Sequence, residues 1–257
     1  MREPNQPPVA TVDETVDEIL SQAGRPETPL RRTFLQQGPE GKRTPGPLKT
    51  FVVNSDHRGL LLYLLVLGKA SSEPWDATLA AAVWARALGV ELPNSATAKS
   101  MISKAWKRLE DRRLIRRERY RRRARVFLLN EAGTGDPYTH PGQARDTYLK
   151  LPHAFWQADP DGDRWYRVLA LPEVAMLLIA LSLNDEFRLP AEDMPDWYGI
   201  SADTASRGLK GLISHGLLEV RKHYKTAPLS PVGYTADHLY TLQPPFGPKG
   251  QVQGRRQ

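Results

Sequence analysis

The clearest local signal in the chain is the stretch Gly199-Ile200-Ser201-Ala202-Asp203-Thr204-Ala205-Ser206-Arg207-Gly208-Leu209. Gly199 can adopt the left-handed backbone conformation that a tight turn between two helices requires. Ile200 supplies an apolar side chain that anchors the turn, and Ser201 can accept a hydrogen bond from a free amide of the next helix. The stretch therefore predicts two helices joined by a tight turn, the second beginning after Ser201.

The flanking sequence extends this signal into a larger unit. A helix is predicted upstream from Pro172, which suits the first helical position, to Leu183. A short helix then ends at 197–198, directly before the turn. Downstream, 217–224 and 237–242 have the pattern of two strands joined by a long loop that contains proline. The helix after Ser201 has an apolar inner face formed by Ala205, Leu209, Leu212 and Ile213.

The same order of elements is predicted earlier in the chain. Asp56 is placed to cap a helix, Asp76 a second, and Asn94 or Ser95 a third. The third helix carries a buried stripe of Ala98, Ile102, Ala105 and Leu109. Extended segments are predicted at 48–53, 114–119 and 125–129, the last two as a hairpin.

The two units align without gaps over the third helix and the start of the hairpin, so that 114–115 matches 217–218. Helix periodicity alone accounts for the matching apolar positions. Polar residues on the outer face also match, which periodicity does not require, and this indicates an internal repeat. The matched pairs are Ser103 with Ser206, Lys104 with Arg207, and Lys107 with Lys210.

Positive charge is concentrated in one segment of the chain. The Arg-rich run from Lys104 to Arg125 contains twelve Lys and Arg residues against three acids, a local net charge of +9. The whole chain has a net charge of +7, so the remainder carries −2. Such concentration suits a polyanionic partner.

The stretch that begins at Gly199 resembles the helix-turn-helix signature of bacterial winged-helix regulators. In that signature Gly is followed by Ile or Val and then by Ser, Thr comes three residues after the Ser, and Ser-Arg follows. Residues 55–129 and 150–243 are similar to tandem winged-helix proteins, plasmid replication initiators among them. Pro195 shortens the helix before the turn, and the turn at 89–94 is longer than in the signature. The resemblance implies a mainly α fold with small β-hairpins (α+β), made of two tandem winged-helix domains.

The resemblance also implies a set of DNA-binding residues. The third helix of each unit would enter a major groove, and each hairpin would lie along the backbone or in a minor groove. Short hydroxyls reach phosphates or base edges, and Arg can bind guanine with two hydrogen bonds. The implied residues are Lys99, Ser103, Lys104, Lys107 and Arg108; Arg117, Arg119, Arg121, Arg122, Arg123 and Arg125; Thr204, Ser206, Arg207 and Lys210; and Lys222 and Lys225.

The remaining segments complete the predicted domain organisation. A largely disordered N-terminal tail (1–47), rich in Pro and Gly, contains one short amphipathic helix at 12–23 with an acidic outer face. The first module is 48–130 and the second is 148–245. The Gly- and Pro-rich segment 131–147 is predicted to be a linker, and 246–257 a disordered C-terminal tail.

Several functional classes have no support in the sequence. The chain has no cysteine, and its six histidines include no pair four residues apart beside a Glu, so no metal site is predicted. The acidic segment 159–163 resembles a calcium loop, but Ala170 stands where the bidentate acid belongs. No phosphate loop or nucleophile elbow is present, so we predict no enzyme and no cofactor. The longest apolar run, 60–67, is too short to span a bilayer, which favours a cytoplasmic, nucleoid-associated protein with no membrane contact.

Three hypotheses follow. The first is a sequence-specific double-stranded DNA-binding protein that regulates transcription. The second is a replication initiator of a plasmid or mobile element. The third is a winged-helix protein-interaction module in which DNA binding is confined to the first module. A homodimer remains open, and the acidic helix at 12–23 is expected either to bind a protein partner or to cover the basic hairpin until DNA arrives.

Overall fold

The computed structural model describes residues 9–39, 41–90, 96–121, 123–142, 146–160 and 162–247. Helices alternate with small antiparallel sheets in a mixed α/β arrangement. The helices are α1 (Val12–Ser21), α2 (Leu48–Val53), α3 (His57–Lys69), α4 (Ala81–Ala87), α5 (Ala96–Asp111), α6 (Trp165–Val168), α7 (Leu171–Leu181), α8 (Met194–Tyr198) and α9 (Ala202–Ser214). The strands are β1 (Glu27–Arg31), β2 (Gln36–Gln37), β3 (Thr44–Pro45), β4 (Asp76–Leu79), β5 (Ile115–Tyr120), β6 (Arg123–Leu128), β7 (Tyr148–Pro152), β8 (Glu186–Arg188), β9 (Leu218–Thr226) and β10 (Tyr234–Leu242).

The two modules share one order of elements: helix, strand, helix, helix and hairpin. In the first module the sheet order is β4-β6-β5, and in the second it is β8-β10-β9. In both, the short first strand pairs antiparallel with the last strand. Three helices and a hairpin are present in each module, as predicted, but the predicted start of the second helix in the first module is wrong, and β4 and β8 were missed.

Two predicted elements of the first module are wrong. The segment 48–53, expected to be a strand, is the helix α2, which buries Leu48 and Phe51 one turn apart. Asp76, expected to cap a helix, instead begins β4 and binds Arg125 across the sheet, and the helix starts only at Ala81. The predicted cap of α5, at 94–95, lies outside the described residues.

The N-terminal segment is folded wherever the structure describes it, in contrast to the disordered tail predicted over 1–47. The amphipathic helix is confirmed as α1, which begins with a capping box between Thr11 and Glu14 and buries Val16 and Ile19. β1 follows and pairs in register with β7, about 120 residues further along the chain. The Pro and Gly content of 1–47 suggested disorder, and β1 was not predicted because its partner strand is so distant in sequence.

Helix α1 joins the two halves of the chain. Towards the first module, Thr15 accepts a hydrogen bond from Arg86 of α4 at 2.7 Å. Towards the second, the carboxylate of Asp17 binds Arg164 at 2.8 Å, and Asp13 binds both Arg164 and Arg167. The acidic face of α1 is therefore occupied by these two arginines, and the hypothesis that it covers the basic hairpin is not supported by this arrangement.

The internal repeat extends further upstream than predicted. β1 leads into the 3₁₀ turn Arg32–Phe34, and β7 leads into the 3₁₀ turn His153–Phe155. Each turn ends on a buried phenylalanine that is followed by a large buried apolar residue. Since β1 and β7 are antiparallel, with Pro29 opposite Lys150, the two strand-and-turn units are related by a local two-fold axis.

The segment 131–147, predicted to be a linker, is instead tied into the core where it is described. Glu131 is fully buried and binds the guanidinium of Arg31, which is 2% exposed. Arg31 also donates to Asp146 and to the carbonyl of Thr139, at 2.5 and 2.7 Å. Burial raises the pKa of Glu131 although Arg31 opposes that shift. Where it is described, the segment contains no helix and no named strand, as its composition indicated, but the ion pairs of Glu131 and Asp146 with Arg31 were not predicted.

The predicted disordered C-terminal tail, 246–257, begins too early. Phe246 is buried and packs on Trp165, with ring centroids 6.4 Å apart. Residues 248–257 lie outside the described residues.

The carboxylate of Asp56 connects α3 to α5. It caps α3 by accepting from the amide of Gly59 at 3.1 Å, and it binds Arg108 twice, at 2.7 and 2.9 Å, and Arg112 at 2.5 Å. Burial would raise the pKa of Asp56, but the hydrogen bonds and charges of the two arginines outweigh it, so the pKa lies below its ordinary value. The contribution of this group to stability is therefore present at neutral pH and is lost as the pH falls below about 4.

We expect Asp56→Asn to lower the free energy of unfolding by roughly 2–4 kcal/mol at pH 7, because Asn keeps the cap but leaves two arginines without a counter-charge. The effect should shrink as the pH falls below about 4. Urea unfolding at several pH values measures it. Asp111→Asn is the control, since the Lys107–Asp111 pair is exposed and its loss should change stability by less than about 0.5 kcal/mol. Equal effects of the two variants would contradict this role of Asp56.

Candidate nucleic-acid interface

Helix α5 presents one buried and one exposed face, as its sequence predicted. The stripe of Ala98, Ile102, Ala105 and Leu109 is buried. On the opposite side Lys99, Ser103, Lys104 and Lys107 are exposed to solvent. Of these, Lys107 forms a surface pair with Asp111 at 3.0 Å, a contact weak enough to open when a ligand arrives.

Arg108, predicted to contact DNA, instead binds Asp56 within the protein. Its guanidinium uses two of its N–H groups on that carboxylate, which holds α5 against α3. Arg108 therefore helps to position the exposed face of α5, and with its side chain 43% exposed its contact with DNA stays a prediction. Sequence alone gives no means to pair Asp56 with a residue 52 positions away.

The Arg-rich run begins in the last part of α5, and from Ile115 onward it folds as a hairpin rather than as a continuation of the helix. β5 and β6 pair in register from Ile115 opposite Leu128 to Tyr120 opposite Arg123. Arg121 turns the chain with a left-handed φ of 54°. Arg119, Arg121 and Arg123 are exposed, and none of them forms an ion pair within the described part of the chain. Arg122 lies outside the described residues.

Other arginines of the same hairpin are occupied by internal partners. Arg117 binds Glu110 at the end of α5 at 2.5 Å, and both side chains are partly buried. Arg125 makes two hydrogen bonds to Asp76 on the outer face of the sheet, at 2.7 and 3.0 Å, and stacks on Phe127. Arg117 and Arg125 therefore help to fix the hairpin, and their contact with DNA stays a prediction.

The turn before α9 has the geometry that its sequence predicted. Gly199 ends α8 in the left-handed conformation, with φ of 65°. The Ser201 hydroxyl accepts a hydrogen bond from the amide of Thr204 at 3.2 Å and so caps α9. Ile200 is buried between the two helices. The start of α9 is thus held by local contacts.

Two glycines let α9 approach α7 closely. A Cβ atom added at Gly208 would overlap the backbone carbonyl of Pro172, and one added at Gly211 would overlap the carboxylate of Glu173. The opposite side of α9 exposes Arg207 and Lys210, while Thr204 and Ser206 are half-buried beside them. Arg207 binds Asp203 one turn back at 3.0 Å, in an exposed pair.

The second hairpin is longer than the first and its strands continue past the body of the module. Lys222, paired across the strands with His238, follows the side of the hairpin that faces α9. Lys225 lies on the other side and binds Asp237 at 2.8 Å. Between α9 and this hairpin lies an open cleft of about 500 Å³, whose lining includes Ser206, Lys210, Val220, His238 and Tyr240.

His238 was not predicted from sequence, because the pairing of two strands across a long loop is not fixed locally. Once Leu218 is paired with Leu242, alternate residues along each strand lie on one face of the hairpin, and this places His238 opposite Lys222. That pair of buried leucines at the base of the hairpin was the available signal.

Within the described ranges, no group of three His, Asp or Glu side chains is arranged to hold a metal ion. None of the helices in that part of the chain has the length and hydrophobicity that crossing a bilayer requires. No protein-family model, curated protein or solved structure matches this chain.

We expect Gly208→Ala to lower the free energy of unfolding by roughly 1–3 kcal/mol, because α9 must move away from Pro172 to admit the methyl group. Alanine's higher helix propensity, about 1 kcal/mol, would by itself predict the opposite sign. Thermal or urea unfolding shows whether the substitution lowers or raises the free energy of unfolding. Lys210→Ala, on the exposed side of the same helix, should stay within about 0.5 kcal/mol of the parent. A stabilised Gly208→Ala protein would refute the close approach of α7 and α9.

Proposed function

We propose that the chain is a sequence-specific double-stranded DNA-binding protein made of two tandem winged-helix domains, and that it regulates transcription. The observation that supports this most is the repeated geometry: in both modules a helix with an exposed polar face stands beside a hairpin of a three-stranded sheet ordered first, third, second. This is the arrangement in which a helix enters the major groove and a hairpin contacts the flanking backbone.

The distribution of free cations supports the same proposal. Lys99, Lys104, Arg119, Arg121 and Arg123 are exposed on α5 and at the end of its hairpin, without an ion pair among the described residues. Exposed, unpaired cations can bind phosphates without first breaking a contact within the protein. Arginine at the hairpin end also suits a narrow minor groove, where the negative potential is enhanced.

The first and second modules would read different half-sites. Their matched outward positions are occupied by Lys104 in one module and Arg207 in the other, and Arg alone offers two parallel donors to a guanine. Both third helices belong to one chain, and the β1–β7 pairing joins the two repeats, so a single copy could bind both half-sites. This observation also favours the second candidate, a replication initiator that binds an asymmetric site as a monomer.

Replacing Arg119, Arg121 and Arg123 with Gln should weaken binding to all duplexes alike and reduce the slope of log K against log salt by about 2.7, or 0.9 per lost phosphate contact. Fluorescence anisotropy over a NaCl titration measures both. The control replaces Lys42, Lys69 and Lys150 with Gln. These substitutions remove the same total charge at positions outside both third helices and both hairpins. A slope that falls equally in the control would show that net charge, rather than the hairpin, attracts DNA.

Arg207→Ala should relax selectivity at one or two base pairs, with a loss of about 1–3 kcal/mol at the preferred base and little change on unrelated sequence. Selection from random duplexes with the parent protein, followed by single base-pair substitutions, gives the measurement. Arg167→Ala, an exposed arginine on α6, serves as the matched control. Unchanged selectivity in Arg207→Ala would remove α9 from the proposed recognition surface.

A further inference from the structure

The second hairpin projects from its module as an arm. Only Leu218 and Leu242, at its base, are buried, and every residue of β9 beyond Leu218 is exposed. Each strand has nine residues, of which five lie beyond the last pair with β8, so the arm projects roughly 17 Å past the three-stranded part of the sheet before its tip loop. The hairpin of the first module has strands of six residues and ends in arginine.

The tip loop of this arm, residues 227–233, is apolar and ordered. Leu229 is 100% exposed and Val232 is 64% exposed. The loop is closed by backbone hydrogen bonds of 2.9 Å from Ala227 to Gly233, from Ser230 to Ala227 and from Gly233 to Ser230. Prolines at 228 and 231 restrict its backbone further. Leu229 is therefore held at the end of the arm on a preorganised loop.

The two sides of the arm differ in whether their cations are paired within the protein. On the side away from α9, Arg221 binds Glu186 at 2.6 Å, and Lys225 and Arg188 share the carboxylate of Asp237, each at 2.8 Å, so these cations are all paired. On the side continuous with α9 and the cleft, Lys222 has no ion pair within the described residues. Further out on that side, Tyr224 and Tyr234 form an edge-to-face pair with ring centroids 5.4 Å apart.

The length of the arm fits the spacing of DNA grooves. One helical turn of DNA is about 34 Å, so a minor groove lies roughly 17 Å along the axis from the centre of the adjacent major groove. With α9 in a major groove, a projection of roughly 17 Å together with the tip loop is long enough to reach the adjacent minor groove. The unpaired Lys222 would then contact phosphates while the tip meets the base pairs.

We propose that the arm lies in the minor groove beside the site of α9 and that Leu229 inserts between two base pairs, unstacking them and bending the duplex. This proposal rests on the proposed DNA-binding function. Apolar wedges of Leu or Pro are a known means of kinking DNA from the minor groove. DNA is favoured over a second copy of the chain because the side of the arm that leads to the apolar tip carries the unpaired Lys222 and is continuous with α9, on which Arg207 and Lys210 are exposed.

The test uses the full chain and a 40-base-pair duplex recovered by selection with the parent protein. Fluorophores at the duplex ends report bending, and 2-aminopurine placed singly at each adenine reports unstacking. For the parent we expect increased end-to-end energy transfer and a rise in fluorescence at one step. Leu229→Ser should abolish both signals and weaken binding about tenfold. Leu229→Met, which keeps an apolar wedge, should retain them.

Val53→Ser is the matched control, because Val53 is an exposed apolar residue on α2, far along the chain from the arm. It should leave both signals unchanged. Parent-like bending and unstacking in Leu229→Ser would overturn the wedge while leaving DNA binding intact. A parent dimer that dissociates in Leu229→Ser, seen by sedimentation, would overturn it in favour of self-association. Failure of the parent to select any duplex would refute the proposed function and the wedge together.

Discussion

The antiparallel pairing of β1 with β7 is the constraint on which the remainder of the structure depends. It places the N-terminal segment between the two modules and aligns the two strand-and-turn units about one local axis. The buried guanidinium of Arg31, at the end of β1, then requires the carboxylates of Glu131 and Asp146, which draws in the segment that connects the modules. A buried charge without its partners would be strongly destabilising, so the pairing and the ion cluster stabilise one another.

Arginine has two different roles in this chain, and the neighbouring residues decide between them. Arg108, Arg117 and Arg125 each meet a carboxylate supplied by another element, and they fix α5 and its hairpin in place. At the end of that hairpin, Arg119 and Arg121 have no such carboxylate among the described residues. The internal pairs therefore orient the helix and hairpin from which the free cations project.

Local sequence predicted the elements whose signals are local. The turn at Gly199, the cap at Ser201 and the hairpin in the Arg-rich run were all predictable, because each depends on residues a few positions apart. β4, β8 and β1 were missed, since a short strand is specified mainly by a partner distant in sequence. For the same reason the exposed lysines of α5 were correctly placed, whereas the partners of Arg108, Arg117 and Arg125 could not be foreseen.

The distance along the chain between β1 and β7 has a consequence for biosynthesis. When the first module leaves the ribosome, β1 lacks its partner strand, and Leu30 and Phe34 lack part of the surface that buries them. Arg31 also lacks its ion pair with Asp146 at that stage, although Glu131, which comes earlier in the chain, is synthesised first. Contacts of such high sequence separation form late, so β1 stays unpaired until residue 152 has left the ribosome.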